Sequence, residues 1–291
     1  MTLWIAALLG VIQGVFMFLP VSSTAHMVLT EHWLIAQGQA LPPPESPEMI
    51  LFALVVHVGT LVSIVVVFWP SLWRFVSNSL RDVAAWAGGG GRERLPLFWR
   101  LFCLGMFSVL CTAVLGLSLK AAFEHIFASP SMIAGTLTLT GILLWWADRL
   151  APRRRGLKGV NLRVAGVIGL AQGLALMPGL SRSAMTIVFA LFTGLKRRWA
   201  AEYSFFLAIP TICAATLLQA VDVYRLDAPT EVSPGALGVG FVTAALVGII
   251  SLKLVIYFLY KARLKVFSFY VWALALAIAV GWLDLAPAPP S

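Results

Sequence analysis

Charged residues are scarce in this chain. Asp, Glu, Lys and Arg together make up 11% of its 291 residues, whereas apolar residues make up 60%. Many of these apolar residues lie in runs close to the ~20 residues that an α-helix needs to cross a bilayer. A soluble core could not absorb so many runs, so the composition excludes an ordinary soluble domain and predicts an all-α integral membrane protein.

Cysteines and acidic residues are few as well. Cys103, Cys111 and Cys213 lie inside apolar runs with neither paired spacing nor a histidine cluster, which argues against a disulfide framework and a zinc site. Lys and Arg outnumber Asp and Glu by 21 to 12. In a membrane protein such an excess collects in the loops of one side, so we expect no nucleic-acid partner.

Eight apolar stretches organise the chain, which we predict to be one transmembrane domain over residues 1–291. Two of them, 3–35 and 162–195, are broken near the middle by Pro followed by small hydroxyl residues. Pro removes a backbone donor and Ser competes for backbone hydrogen bonds, so we predict re-entrant hairpins there, shielded from lipid by other helices. The other six are predicted crossings, at 49–69, 98–119, 130–148, 200–221, 236–260 and 266–284.

The distribution of charge supports this topology. The three intervening loops, 30–48, 120–129 and 222–235, are mainly acidic. Six crossings with two same-side hairpins place every basic segment in the cytoplasm and both termini outside, as expected of a multi-pass inner-membrane protein. Sixteen of the 21 Lys and Arg lie in these basic segments, 70–97, 149–163, 196–198 and 261–265.

The two broken stretches resemble each other. Gly10-x-x-Gln13-Gly14 precedes the first break, and Gly169-x-x-Gln172-Gly173 precedes the second. Each stretch is followed by three crossings, and the two enter from opposite sides, which predicts inverted repeats over 1–150 and 160–285. Repeats of this kind place a site near the bilayer midplane, where their interrupted helices face each other. The alternative is that the two stretches resemble each other by chance. The charge pattern argues against this, because it independently indicates opposite orientations.

The breaks are suited to bind an anion. The first N–H groups of a helix lack partners and carry partial positive charge, so two helix starts that face one point form an anion site. Small hydroxyl residues beside the breaks can donate further hydrogen bonds to a phosphate: Ser22, Ser23, Thr24, Ser181 and Ser183.

Arg182 is the strongest single signal. A guanidinium inside an apolar stretch costs at least ~2.5 kcal/mol on insertion scales and marks a functional site or an ion pair. Phosphate contact is favoured, because Glu202 is the one acid that we place well inside a crossing. Glu202 either pairs with Arg182 or orients it toward the anion, and the sequence leaves both open.

Histidine supplies the candidate acid–base group. His26 lies four residues after Ser22 and three after Ser23, so on a restarted helix it shares their face. It is then a nucleophile or general acid toward the phosphate, or else a core histidine bonded to a hydroxyl. The neighbouring hydroxyls favour the first interpretation. His57, in the crossing 49–69, is a weaker candidate without a nearby motif.

These motifs closely resemble those of the undecaprenyl-diphosphate phosphatase family, the bacitracin-resistance membrane phosphatases that recycle the lipid carrier of cell-wall synthesis in bacteria. Pro178 to Thr186 fits the family's P-G-x-S-R-S-x-x-T motif at every fixed position, and Phe18 to Met27 looks like its other signature. The resemblance implies six crossings, two opposed hairpins and a pocket open to the periplasm. It also implies catalytic roles for Ser23, His26 and Arg182 and adds Thr186 to the phosphate contacts.

One position departs from the family. Its Glu/Gln-x-x-x-Glu pattern is met by Gln13 but not by Met17, so a carboxylate is missing. A carboxylate there can act as general base, orient His26 or bind the Mg²⁺ or Ca²⁺ that the resemblance implies, and Met can do none of these.

Three outcomes therefore stay open: hydrolysis centred on His26, slow action on another lipid phosphate, and binding or translocation without cleavage. The retained Ser, His and Arg favour hydrolysis of a polyprenyl diphosphate to the monophosphate. Gln13, Gln172 and Glu202 are expected in supporting roles. The nucleophile, the metal requirement and the choice between monomer and homodimer are left open.

Overall fold

The structure is a computed structural model of the 291-residue chain. It describes residues 1–39, 41–43, 46–87, 97–119, 130–177, 179–225 and 232–281, which are mainly α-helical. The α-helices in these ranges are α1 Leu3–Phe16, α2 Ser23–Ala36, α3 Pro47–Ala87, α4 Leu97–Ser118, α5 Pro130–Arg149, α6 Leu162–Leu174, α7 Arg182–Phe192, α8 Arg197–Arg225, α9 Pro234–Tyr260 and α10 Lys265–Ala279.

Four helices in the described ranges, α3, α4, α8 and α9, are long and apolar enough to cross a membrane, and they match four predicted crossings. The other two predicted crossings form α5, with 20 residues, and α10, with 15, which pack against each other. Residues 282–284 of the last one lie outside the described residues. The prediction of an all-α integral membrane protein is confirmed, and the number of six crossings stays a prediction.

Two segments placed outside the crossings, 70–87 and the start of 30–48, are helical, and the end of the first crossing at residue 69 stays a prediction. The first crossing was expected to end at residue 69, yet α3 continues through Pro70 to Ala87. Pro70 has no N–H and cannot donate to the Val66 carbonyl, but one missing bond kinks a long helix more readily than it ends it. Glu31, assigned to an acidic loop, lies in α2 and is buried.

Both breaks form where the sequence predicts them. The helices α1, α2, α6 and α7 that flank them are 11 to 14 residues long. At 1.5 Å per residue none exceeds about 21 Å, well short of the ~30 Å hydrocarbon core. These lengths are compatible with re-entrant hairpins, which stay a prediction, because α10 is only one residue longer than α1 and α2.

The repeated glycines are packing residues. Gly10 and Gly14 bring α1 against α9, where a Cβ on Gly10 would lie 2.6 Å from the Gly240 carbonyl oxygen. Gly169 does the same for α6 against α4, where a Cβ would lie 2.8 Å from the Cα atom of Ser108. Small residues allow membrane helices to approach this closely. The motif therefore encodes one contact twice, between the first helix of each hairpin and a long helix of the opposite half.

Three of the four basic segments, 149–163, 196–198 and 261–265, meet at one end of the bundle. Asp148, near the end of α5, forms an ion pair with Arg197 at 3.3 Å and accepts a hydrogen bond from the Lys265 N–H at 2.8 Å. Arg100 donates to the Lys158 carbonyl at 2.8 Å. These contacts bring the starts of α4, α8 and α10 to the segment that follows α5.

Candidate active site

The first break, residues 17–22, ends in a strained residue. Ser22 has φ 70° and ψ 92°, and it precedes α2 without a side-chain capping bond. A residue other than glycine held in such a conformation costs about 1–3 kcal/mol, and such residues cluster at functional sites. The next residue, Ser23, is partly exposed, and its hydroxyl makes no hydrogen bond to any other residue that the structure describes. The side chain of Thr24 lies outside the described residues.

His26 is held on both edges and one face. Its Nδ1 lies 2.7 Å from the Ser22 carbonyl oxygen, and its Nε2 lies 2.7 Å from the Tyr270 hydroxyl of α10. Phe16 stacks on the ring at a centroid distance of 3.7 Å. Because a carbonyl only accepts, Nδ1 carries a proton, and the neutral ring accepts the Tyr270 O–H at Nε2. The ring therefore has one fixed orientation and one basic atom, which faces Tyr270.

The second break, residues 175–181, makes several hydrogen bonds where it is described; Pro178 lies outside the described residues. Gly179 takes φ 82°, and Thr140 donates to its carbonyl at 3.1 Å. Ser181 caps α7 by accepting from the Ala184 N–H at 3.4 Å, and its hydroxyl lies 3.2 Å from that of Ser183.

Thr186 is used inside its own helix. Its hydroxyl donates to the Arg182 carbonyl at 2.9 Å, as threonines within helices commonly do. It is also buried, at 2% exposure, so its hydroxyl hydrogen is not free for a ligand in this arrangement. The hydroxyls of Ser181, Ser183 and Thr186 thus secure the start of α7, and phosphate contact by them stays a prediction.

Arg182 connects the two breaks. Its Nη2 lies 3.9 Å from Met17 Sδ, to which the Gln13 amide also donates at 3.4 Å. Arg182 is half-buried, and it has no acidic partner in the described part of the chain. Met17 and Val188 of α7 belong to the same hydrophobic core, so the first break and the helix after the second share one core. The predicted meeting of the breaks is therefore observed at Met17.

Glu202 is not part of this site. It pairs with Arg198, one turn earlier in α8, at 3.0 Å. Neither expectation for Glu202, that it pairs with Arg182 or orients it, is met in this structure, because an i,i+4 arginine is available to it without any tertiary contact.

Gln172 also lies apart from the break. Its amide donates to Thr112 at 3.1 Å and to Thr211 at 2.9 Å, and its Oε1 is buried without a partner among the described residues. It ties α6 to α4 and α8, whereas Gln13 faces Met17. The two glutamines of the repeated motif therefore have different uses.

His57, the weaker candidate, lies close enough to Arg182 for the two to interact electrostatically, and its Nδ1 lies 2.7 Å from the Ala53 carbonyl.

The described donors do not fit a protein-held divalent cation. No cluster of three or more His, Cys, Asp or Glu side chains suited to a metal is found within the described ranges. Near the first break the chain offers the Met17 sulfur and the Arg182 cation, whereas Mg²⁺ and Ca²⁺ bind oxygen ligands, chiefly carboxylates.

The sequence did not predict two contacts of His26, those with Tyr270 and Phe16. Tyr270 lies 244 positions from His26, so no local spacing connects them. Phe16 lies in an apolar run, where an aromatic residue carries no signal of its own. The one sequence feature that pointed to Tyr270 was its hydroxyl near the start of the predicted crossing 266–284, and tyrosines are common at membrane interfaces.

Comparison with known proteins identifies the family of this chain. The sequence profile of the family described as bacitracin resistance protein BacA matches residues 6–277. The undecaprenyl-diphosphatase of Alkalilimnicola ehrlichii is 84% identical over 288 residues, which cover 99% of both chains. The undecaprenyl-diphosphatase of Halorhodospira halophila is 71% identical, and the match covers 98% of this chain and 99% of that protein. The undecaprenyl-diphosphatase of Moorella thermoacetica is 36% identical, and the match covers 97% of this chain and 99% of that protein. With the profile covering nearly its whole length, the chain belongs to the bacitracin resistance protein BacA family.

Proposed function

We propose that this chain hydrolyses undecaprenyl diphosphate to the monophosphate and inorganic phosphate, the activity for which its relatives are named. The observation that carries the proposal is Arg182, a half-buried cation beside the first break without an acidic partner among the described residues. A cation in such apolar surroundings is stabilised by an anionic ligand. A lipid diphosphate supplies that anion, and its chain lies among the surrounding apolar helices.

The diphosphate binds between two helix starts. The first N–H groups of α2 and α7 carry partial positive charge, and Arg182 adds a full charge with bidentate geometry. These groups are fixed before the substrate arrives. They therefore stabilise the charge that develops on the transferred phosphoryl group without reorganising.

Ser23 is the nucleophile, because its hydroxyl is partly exposed and free of partners among the described residues. Its oxygen attacks the terminal phosphorus, and the bond from that phosphorus to the bridging oxygen breaks. The lipid monophosphate leaves with the bridging oxygen and its electron pair. Water then attacks the phosphoserine, the bond between phosphorus and the Ser23 oxygen breaks, and inorganic phosphate leaves as Ser23 regains the proton held by His26.

His26 and Tyr270 take up the proton that Ser23 loses. Since Nδ1 is bound to the Ser22 carbonyl, the ring gains a proton only at Nε2, which faces Tyr270. Tyr270 passes its hydroxyl proton to Nε2 as its oxygen accepts the one from Ser23. His26 thus acts as general base, and Tyr270 relays the proton from Ser23 to it.

Met17 leaves the chemistry without a protein carboxylate, and no step above requires one. The alternative of a lipid-phosphate translocase or binding protein without hydrolysis gains no support from the relatives, which are named for hydrolysis.

In the membrane we place six crossings, α3, α4, α5, α8, α9 and α10, and two hairpins, α1–α2 and α6–α7. They form inverted repeats over 1–150 and 160–285, supported by the short hairpin helices and the matched glycine contacts. The end where the basic segments meet faces the cytoplasm of the bacterial cell, and the site opens to the periplasm. A homodimer stays a prediction.

Phosphate release by the purified protein from undecaprenyl diphosphate tests this function, with and without chelator. We expect release by the wild type and a large loss in His26→Ala. A wild type that binds the lipid but releases no phosphate would disprove hydrolysis. A Met17→Glu variant that gains hydrolysis from an inert wild type would instead identify a binder or carrier.

A further inference from the structure

A cavity of about 380 Å³ lies between α3, α8 and α9, away from both breaks. Its polar lining residues are Ser71, Arg198, Glu202, Lys253 and Tyr260. Arg198 is the neighbour of Arg197, which binds Asp148, and Tyr260 ends α9 just before the basic segment 261–265. The cavity therefore lies toward the end of the bundle where the basic segments meet.

The cavity carries an excess of positive charge. Arg198 and Lys253 are its cations, and Glu202 is the one carboxylate among the residues that line it. Glu202 is bonded to Arg198 at 3.0 Å, whereas Lys253 has no hydrogen bond or ion pair with any residue that the structure describes. Lys253 lies seven residues before the end of α9, about 10 Å into the helix at 1.5 Å per residue. A lysine at that depth usually marks a functional contact or extends its amine toward the interface.

An apolar cavity of about 350 Å³ adjoins this site and shares Glu202 with it. Its walls come from α3, α4 and α8 and include Phe75, Leu101, Met106 and Phe206. A cationic recess beside an apolar slot matches the two parts of one lipid, a phosphate headgroup and a hydrocarbon chain.

We propose that these two cavities form a binding site for an anionic phospholipid of the cytoplasmic leaflet. Its phosphate binds Lys253 and Arg198, and one acyl chain occupies the apolar cavity. Anionic headgroups are attracted to Lys and Arg at this surface by about 1 kcal/mol per residue, which corresponds to about fivefold in affinity. The Glu202 carboxylate opposes this attraction, since it competes with the phosphate for Arg198.

The test is native mass spectrometry of the full-length protein in neutral detergent with short-chain phosphatidylglycerol. We expect Lys253→Gln to weaken binding about fivefold and Lys253→Arg to retain it. Glu202→Gln should strengthen binding, because Arg198 is then free for the phosphate. Lys261→Gln, a lysine just beyond the same helix and outside the cavity lining, is the control and should change affinity less than twofold.

Opposite signs for Lys253→Gln and Glu202→Gln separate a binding site from a folding defect, which would weaken both. Equal losses in Lys253→Gln and Lys261→Gln, or equal binding of phosphatidylcholine, would overturn the proposal in favour of unspecific surrounding lipid. Competition by inorganic phosphate at equal concentration would overturn the assignment to a lipid, since the headgroup alone would then suffice. None of these outcomes depends on phosphate release at the Ser23 site.

Discussion

The two breaks have similar sequences but differ in how completely their polar groups are bonded. At the second, a glycine takes the positive φ of 82° and Ser181 caps the helix that follows. At the first, Ser22 takes a positive φ of 70°, the cap is missing, and the Ser23 hydroxyl has no partner among the described residues. The second break has an unstrained backbone and positions Arg182. The first break has the strained residue Ser22 and, next to it, the Ser23 hydroxyl, which is unbonded among the described residues. This difference suggests that one half holds the substrate while the other half reacts with it.

The largest loss of activity is expected from removing the Ser23 hydroxyl. Ser23→Ala should lower kcat by at least about 1,000-fold with little change in KM, because the nucleophile is lost while the anion site remains. Ser183→Ala, at the matching hydroxyl of the other break, should cost less than tenfold, since that hydroxyl bonds Ser181. Steady-state phosphate release measures both. Equal losses of activity in the two variants would contradict the conclusion that the two breaks have different roles.

The second-largest loss of activity is expected for Arg182→Ala. It should lower kcat/KM about 100-fold, because charge-assisted hydrogen bonds contribute about 1.5–3 kcal/mol each. Arg182→Lys should recover part of it, since a lysine keeps the charge without the bidentate geometry. Arg74→Lys, on the exposed extension of α3, is the control and should leave turnover unchanged. A substrate affinity that survives in Arg182→Ala would show that the second break does not hold the phosphate.

Tyr270→Phe should have a smaller effect, about tenfold in kcat, because water can take over the proton relay to His26 while the stacked rings remain. Its distinguishing readout is the pH–rate profile, whose acidic limb reports protonation of the general base His26 and should shift. Tyr257→Phe, an exposed tyrosine of α9, is the matched control. A lower rate with an unchanged profile would reduce Tyr270 to a structural contact.

The smallest effect is expected from exchanging the residues with positive φ. Ser22→Gly should raise the free energy of unfolding by no more than about 1 kcal/mol, because relieved strain is partly offset by the greater freedom of glycine in the unfolded chain. Gly179→Ser should destabilise the protein, since its Cβ would lie 2.9 Å from the Ile133 carbonyl oxygen in a strained conformation. Thermal unfolding in detergent compares the two. A stabilised Gly179→Ser would contradict the view that the second break is relaxed.

Much of this site could be predicted because its signals are local. Pro and small hydroxyls in an apolar run mark a helix break, and a lone arginine there marks an anion, so both breaks and Arg182 were predictable. Tyr270 was not, because its contact with His26 depends on how α10 packs. The partner of Glu202 could have been found from the i,i+4 spacing to Arg198. Thr186 was assigned by motif alone, and a motif does not tell which carbonyl a helical threonine bonds.

The most direct test asks whether Ser23 and Arg182 act on the same phosphate from opposite breaks. Phosphate release by Ser23→Ala, Arg182→Ala and the double variant forms a double-mutant cycle. Residues that act as one unit are strongly non-additive, so the double variant should be scarcely slower than Ser23→Ala alone. Losses that simply multiply would mean that the two breaks serve different ligands.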